Sequence, residues 1–199
     1  MSLIAIVVAN PPLAAGNADA GKTKAQVSFA CHGAEGDKPI ANYPKLAGQH
    51  AGYLFKQLMD FKTGKRKNPI MSGQVANLQP QDMQDLAAYF SQQKRSLGAA
   101  TNKELRVLGQ RIYRGGNETK HLPACMACHS PDGNGNAPAK YPALGGQSAD
   151  YVSKTLTDFR SGARGMDPKD SAGKIMHDIA KLMDDKEIKA VAQYVSGLH

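Results

Sequence analysis

Tryptophan is missing from this chain of 199 residues, and five Phe with seven Tyr are a thin aromatic supply for its interior. So small a stock leaves room for some other bulky group inside. Cysteine is scarce as well. Three residues exclude a disulfide-rich scaffold, and the odd number leaves at least one to be explained differently. No apolar run approaches the roughly 18 residues a membrane span needs, which excludes an integral membrane protein as the sequence is written. Val/Ile/Thr alternation never lasts more than a few residues, so strand signals are almost absent. Acidic side chains are outnumbered, 17 against 25 Lys and Arg, for a net charge of +8.

What is present reads as a globular protein, with 41% hydrophobic and 21% charged residues. The basic excess is spread along the chain: residues 1–97 carry 11 basic and 6 acidic side chains, residues 98–199 carry 14 and 11. It is either a surface that steers toward acidic partners or the ordinary charge of a soluble basic protein. Nucleic-acid binding has no support, because no Arg/Lys-rich helix or aromatic-basic stripe occurs. Residues 1–20 join a short apolar run to small residues, with Ala18 and Ala20 in an Ala-x-Ala arrangement. They read as an export signal without the usual basic start, or as an apolar arm.

The chain repeats itself once. Tyr43-Pro-Lys-Leu-Ala-Gly-Gln49 is answered by Tyr141-Pro-Ala-Leu-Gly-Gly-Gln147. Amphipathic segments of equal length follow, Tyr53 to Gly64 and Tyr151 to Gly162, each closing on a glycine suited to a helix C-cap. Upstream, Ala30-Cys-His-Gly answers Ala127-Cys-His-Ser. The expected organisation is all-α, a tandem repeat with Gly/Pro-rich loops: unit one over 21–94, a linker over 95–101, unit two over 102–199. Each unit reads helix, loop, helix, loop, helix. Units of this size are near the limit of independent stability without a staple.

Cys125-Met-Ala-Cys128-His129 is Cys-x-x-Cys-His, the attachment signature of c-type haem. One helical turn presents two thiols to the two vinyl groups of a porphyrin edge, and the next residue offers an imidazole to the iron. Chance would produce the pattern in a chain of this length on the order of one time in a thousand. A zinc half-site lacks further ligands at knuckle spacing, and a thioredoxin-like pair lacks its βαβ context. Unit one reads Ser28-Phe-Ala-Cys31-His32, with Ser where the first cysteine belongs. Either haem is held there by one thioether from Cys31 and by His32, or the site has lost its haem and kept the fold.

Electron-transfer haem needs a second axial ligand, and a Met thioether raises the potential. Met71 lies in an expected loop 39 residues after His32, long enough to reach the other face. Met176 stands 18 residues before Tyr194, as Met71 stands 18 before Tyr89, and this shared register selects it; Met166 remains a competitor. Met59, Met83 and Met183 fall at core positions of amphipathic patterns. Pro44 and Pro142 follow His32 and His129 by 12 and 13 residues, where a rigidly presented carbonyl could receive the imidazole N–H. Gly109 and Tyr113 suit a close crossing with the helix bearing Tyr194. His50, His121 and His199 are expected to face solvent.

On these motifs, with Phe61-Lys-Thr-Gly-Lys-Arg66, Ile70-Met-Ser-Gly73 and Glu187-Ile-Lys-Ala-Val-Ala192, the chain resembles the dihaem cytochrome c4 family along nearly its whole length. The resemblance implies two class I cytochrome c domains packed with their haems close together. It implies two haem c groups, one on Cys31 and one on Cys125 and Cys128. Axial pairs would be His32 with Met71 and His129 with Met176, with Pro44 and Pro142 accepting from the imidazoles. It further implies a periplasmic electron carrier, fed by a quinol-linked or dehydrogenase donor and delivering to a membrane-bound oxidase; peripheral membrane association stays open. Two other readings stand beside it: a dihaem acceptor subunit of a dehydrogenase, as in flavocytochrome c, and a haem enzyme of peroxidase or thiosulfate dehydrogenase type. Ser28 is the departure from the family pattern.

Overall fold

The computed structural model describes residues 15–38 and 42–199. Within them the chain is helical, and its only β pairing is two isolated bridges, Asn117 with Leu122 and Asn136 with Tyr141. The all-α expectation holds. Among the described residues five helices build the first half: α1 (Ala18–Lys24), α2 (Gln26–His32), α3 (Ala51–Lys62), α4 (Pro69–Val75) and α5 (Pro80–Gln92). Five more build the second: α6 (Lys103–Gly115), α7 (Met126–His129), α8 (Ala149–Arg160), α9 (Ser171–Ala180) and α10 (Asp185–Ser196), with a 3₁₀ turn at Glu118–Lys120. Among the described residues no helix is long and apolar enough to cross a membrane.

Local chemistry sets the helix ends. Asn102 accepts from the Leu105 N–H at 2.8 Å to start α6, and Asp184 and Glu187 form a reciprocal capping box, 2.9 Å each way, to start α10. Gly64 and Gly162 follow α3 and α8 with φ of +75° and +78°, the left-handed turn that ends a helix most readily at glycine. The pattern of three helices per half is too simple. α4 was hidden because Asn68 and Pro69 look like a loop, yet Asn68 caps the Met71 N–H at 3.0 Å and Pro69 occupies the first turn, where its missing N–H costs nothing.

In each half the first and last helices cross with backbones in contact. A Cβ on Gly21 would fall 2.0 Å from the Asp85 carbonyl oxygen, and one on Gly109 would fall 2.0 Å from that of Ala190. The expected boundary at residue 20 therefore falls inside α1, whose Gly21 does in the first half what Gly109 does in the second. Residues 1–14 of the proposed signal or arm lie outside the described residues. Four residues beyond each glycine the halves part company: Tyr113 is fully buried against Tyr194, whereas the equivalent Ala25 is followed by Phe29, which packs on Tyr89. Gly21 to His32 spans 11 residues and Gly109 to His129 spans 20, and the extra length carries the 3₁₀ turn.

Each half has its own apolar core. Leu54, Leu86, Tyr89 and Phe90, with a second cluster of Phe61, Val75 and Met83, fill the first. Ile112, Tyr113, Leu156, Ile188 and Val195 lead the second. No helix covers residues 93–102, but the segment is fastened. Ser96 Oγ donates to the Asp37 carbonyl, Thr101 N donates to Gln193 Oε1, and Gly98 lies so close to Ser196 that a Cβ would fall 2.1 Å from its carbonyl oxygen.

Candidate functional site

His32 ends α2 and His129 ends α7, and in both cases the next residue, Gly33 or Ser130, turns to positive φ. This reversal sends the chain around the imidazole and back to the Tyr-Pro segment. The result is the same in both halves: His32 Nδ1 lies 2.9 Å from the Pro44 carbonyl and His129 Nδ1 lies 3.0 Å from the Pro142 carbonyl. A carbonyl can only accept, so Nδ1 carries the proton and the Nε2 lone pair is left for another partner. Both rings are buried, at 6% and 7% exposure, and burial lowers their pKa, outweighing the carbonyl bond that raises it. A neutral imidazole with a fixed Nδ1–H is the form that binds a metal.

The thiols sit one turn ahead. Cys125 and Cys128 are three residues apart beside His129, and Ser28 and Cys31 occupy the same positions beside His32. None of the three cysteines is in a disulfide. Burial pushes the Cys125 thiol up to about 11, so it is not a ready thiolate. Among the described residues no cluster of three or more His, Cys, Asp or Glu could hold a metal ion, which leaves the zinc reading without support.

Met71 sits on α4, not in a loop, and packs half-buried against Phe61, Val75 and Met83. Met176 sits on α9 and packs half-buried against the second core. Met166, the competitor, is 61% exposed, while Met83 and Met183 are core residues. A tyrosine also reaches the loop after each histidine, but from non-equivalent helices: Tyr89 Oη on α5 donates to the Ala34 carbonyl at 3.1 Å, and Tyr113 Oη on α6 to that of Ser130 at 2.7 Å.

Sequence reasoning missed the residues that join the halves. His50 was expected to face solvent without a partner; it stays partly exposed, but its Nε2 lies 2.8 Å from the Asn134 carbonyl of the other half. Gln49 and Gln147, read only as the closing letters of the repeat, are buried and bond across the interface. Arg66 Nη2 donates to Tyr151 Oη at 3.0 Å, Arg164 Nη2 to Tyr53 Oη at 3.0 Å, and both guanidiniums meet Gln57 Oε1 at 2.7 Å. Each also lies over the phenyl ring five residues earlier, Phe61 or Phe159, at 4.6 and 4.5 Å. The recurrence of Phe, then Arg five residues on, in both repeats was the available signal. Burial alone would push the Tyr151 phenol up, but the two guanidiniums outweigh it and draw it down to about 8.

These residues fit haem. Two imidazoles are neutral, oriented and free at Nε2; thiols stand one turn away; a half-buried thioether is present in each half. Arg66 and Arg164 form no ion pair with a carboxylate among the described residues, so this interface has positive charge that an anionic group such as a haem propionate would balance. When bound, haem supplies a one-electron iron couple; the polypeptide supplies tether, orientation and polarity.

Comparison with known proteins agrees. The cytochrome c family profile matches twice, over residues 18–94 and 107–199. Cytochrome c4 of Pseudomonas aeruginosa is 50% identical over 186 residues, covering 94% of this chain and 90% of the relative. The crystal structure of reduced recombinant cytochrome c4 from Pseudomonas stutzeri superposes with a TM-score of 0.87 at 44% identity, covering 93% of this chain and all of that one. A thiosulfate dehydrogenase electron acceptor of Stutzerimonas stutzeri is 39% identical, covering 84% and 77%. Helical architecture, doubled haem motif and relatives of nearly equal length converge: the chain belongs to the cytochrome c4 family, dihaem c-type cytochromes that transfer electrons and are not enzymes.

Proposed function

We propose that the chain carries single electrons in the periplasm between a respiratory donor and a terminal oxidase or reductase, through two haems, one in each domain. Haem 2 is held by thioethers at Cys125 and Cys128, with His129 and Met176 as axial ligands. Haem 1 is held by one thioether at Cys31, with His32 and Met71. The observation that carries this reading is the matched pair of Nδ1–H bonds to Pro44 and Pro142, which leaves both Nε2 atoms available. Such a bond fixes the ring and raises its basicity, so the imidazole is ready for iron with little reorganisation. A methionine opposite it raises the potential into the range of a carrier. A donor that oxidises thiosulfate is a second reading of the upstream partner, supported by the 39% identical relative named as such an acceptor.

Denaturing mass spectrometry of the exported protein tests the cofactor content, and two covalent haems are expected. Because Ser28 cannot form a thioether, haem 1 keeps one vinyl group conjugated with the porphyrin. The reduced α band is therefore expected to be split, with one component at longer wavelength, and Ser28→Cys to merge the components. A symmetric α band with two covalent haems would count against the single thioether. One covalent haem per chain would sink the two-centre carrier.

A further inference from the structure

In each domain the peptide unit that receives the imidazole proton is itself held from the other domain. Pro44 O accepts from His32 Nδ1, and the N–H of that same peptide unit, on Lys45, donates to Gln147 Oε1 at 2.9 Å. The mirror arrangement runs from His129 Nδ1 to Pro142 O and from the Ala143 N–H to Gln49 Oε1, again at 2.9 Å. Each glutamine closes a ring by donating Nε2 back to the carbonyl of the same residue, Lys45 at 3.0 Å and Ala143 at 2.9 Å. Both glutamines are buried. Each Oε1 also accepts the N–H of its own successor, Ser148 at 2.9 Å and His50 at 3.0 Å. The amides are thereby locked in one orientation.

We propose that Gln49 and Gln147 are positioning residues that tune the axial imidazole of the opposite domain, so that each haem's electron affinity is set partly from across the interface. The inference rests on the reading of His32 and His129 as axial ligands. Hydrogen bonds in a chain polarise one another. A peptide whose N–H is engaged by an amide oxygen carries more negative charge on its carbonyl oxygen. That oxygen draws the imidazole Nδ1–H more strongly, the ring gains imidazolate character, and its Nε2 favours the oxidised iron. Gln147 thus acts on haem 1, and Gln49 on haem 2. A glutamine that only clamped the domains together would need no bond to this particular peptide unit.

The test uses the ¹⁵N-histidine-labelled holoprotein, with the imidazole Nδ1–H resonances of the reduced state and haem-resolved redox titration as readouts. Gln147→Met removes the acceptor from the Lys45 N–H. It should move the His32 Nδ1–H signal upfield and raise the potential of haem 1, leaving His129 in place; Gln49→Met should do the converse. Gln147→Glu gives up the Nε2 bond to the Lys45 carbonyl but puts a carboxylate, a stronger acceptor, before the Lys45 N–H, so the His32 signal should move the opposite way. If Gln147→Met parts the domains, both imidazoles move together, and the sign of the Gln147→Glu shift then decides. Equal shifts of both imidazoles with both variants, shifts of one sign for Met and Glu, or no shift would overturn the proposal. A reduced and oxidised spectrum without low-spin His/Met haem in the unsubstituted protein would overturn the axial reading itself. An intact spectrum with unshifted imidazoles would overturn the tuning alone.

Discussion

Met71 and Met176 occupy equivalent places, each half-buried against its own core, on short helices that begin with a side-chain cap: Asn68 for α4 and Asp170 for α9. A thioether presented from a capped helix is held in place without rearrangement, as an axial ligand must be. In the proposed arrangement each methionine supplies one of two Met-to-iron bonds. Met71→Ala and Met176→Ala should therefore each remove about half of the far-red charge-transfer absorption of the oxidised protein. Met166→Ala should leave it unchanged, since that side chain is 61% exposed. Loss of the band in Met166→Ala with retention in Met176→Ala would reverse the assignment. The register of 18 residues before a tyrosine was readable in the sequence; the helix around Met71 was not, because a cap is a local geometry whose residues are also those of turns.

At the scale of elements, α1 docks on α5 across the close backbone approach at Gly21. Its backbone contact at Gly21 is supported by one ionic cluster. Lys24 Nζ meets Asp85 at 2.5 Å and Asp82 at 2.8 Å, and Asp85 also accepts from Asn17 N and Gln81 Nε2. Burial by itself raises the Asp85 pKa, but these hydrogen bonds and the ammonium outweigh it and hold the group below its usual value. A carboxylate depressed in the folded state stabilises fully above the ordinary range near 4, and the contribution is lost as pH falls through the folded value. Amide exchange in residues 18–24 should accelerate below about pH 4, before exchange in α6 and α10. Asp85→Asn should weaken α1 docking by about 2 kcal/mol at neutral pH and shrink the acid step to the part that Asp82, also held low by the Lys24 ammonium, contributes. Exchange that accelerates uniformly across both domains would exclude this role.

The whole molecule is a pair of pseudo-equivalent domains joined by cross-bonds that also come in pairs: Gln49 with Gln147, Arg66 with Arg164, Tyr53 with Tyr151. Ion pairs between Lys56 and Asp170 at 2.8 Å and between Lys65 and Asp167 at 2.9 Å complete the join. The surplus of basic side chains is present in both halves of the sequence, so the protein approaches a partner as a net cation of +8 before haem propionates offset part of it. Encounter steering of this kind is screened over roughly 10 Å at 0.1 M salt. The second-order rate of electron transfer to an acidic redox partner should fall as ionic strength rises. A rate independent of salt would mean that the charge serves solubility alone.

The sequence by itself determined the helical class, the repeat, the haem signature and the positions of His32, His129, Pro44 and Pro142. Each of these is written in short-range spacing: a thiol and an imidazole must share one turn, and a helix must repeat its apolar residues on one face. Tertiary structure decided what depends on contact between distant segments. It gave Gly21 its place against Asp85, gave His50 a partner in the other half, and made Gln49 and Gln147 the bonds between domains. A glutamine reads the same in sequence whether it meets water or a backbone 94 or 102 residues away, because its amide can satisfy either. Only the packing of the two halves, which buries those amides and withdraws the water, selects the partner.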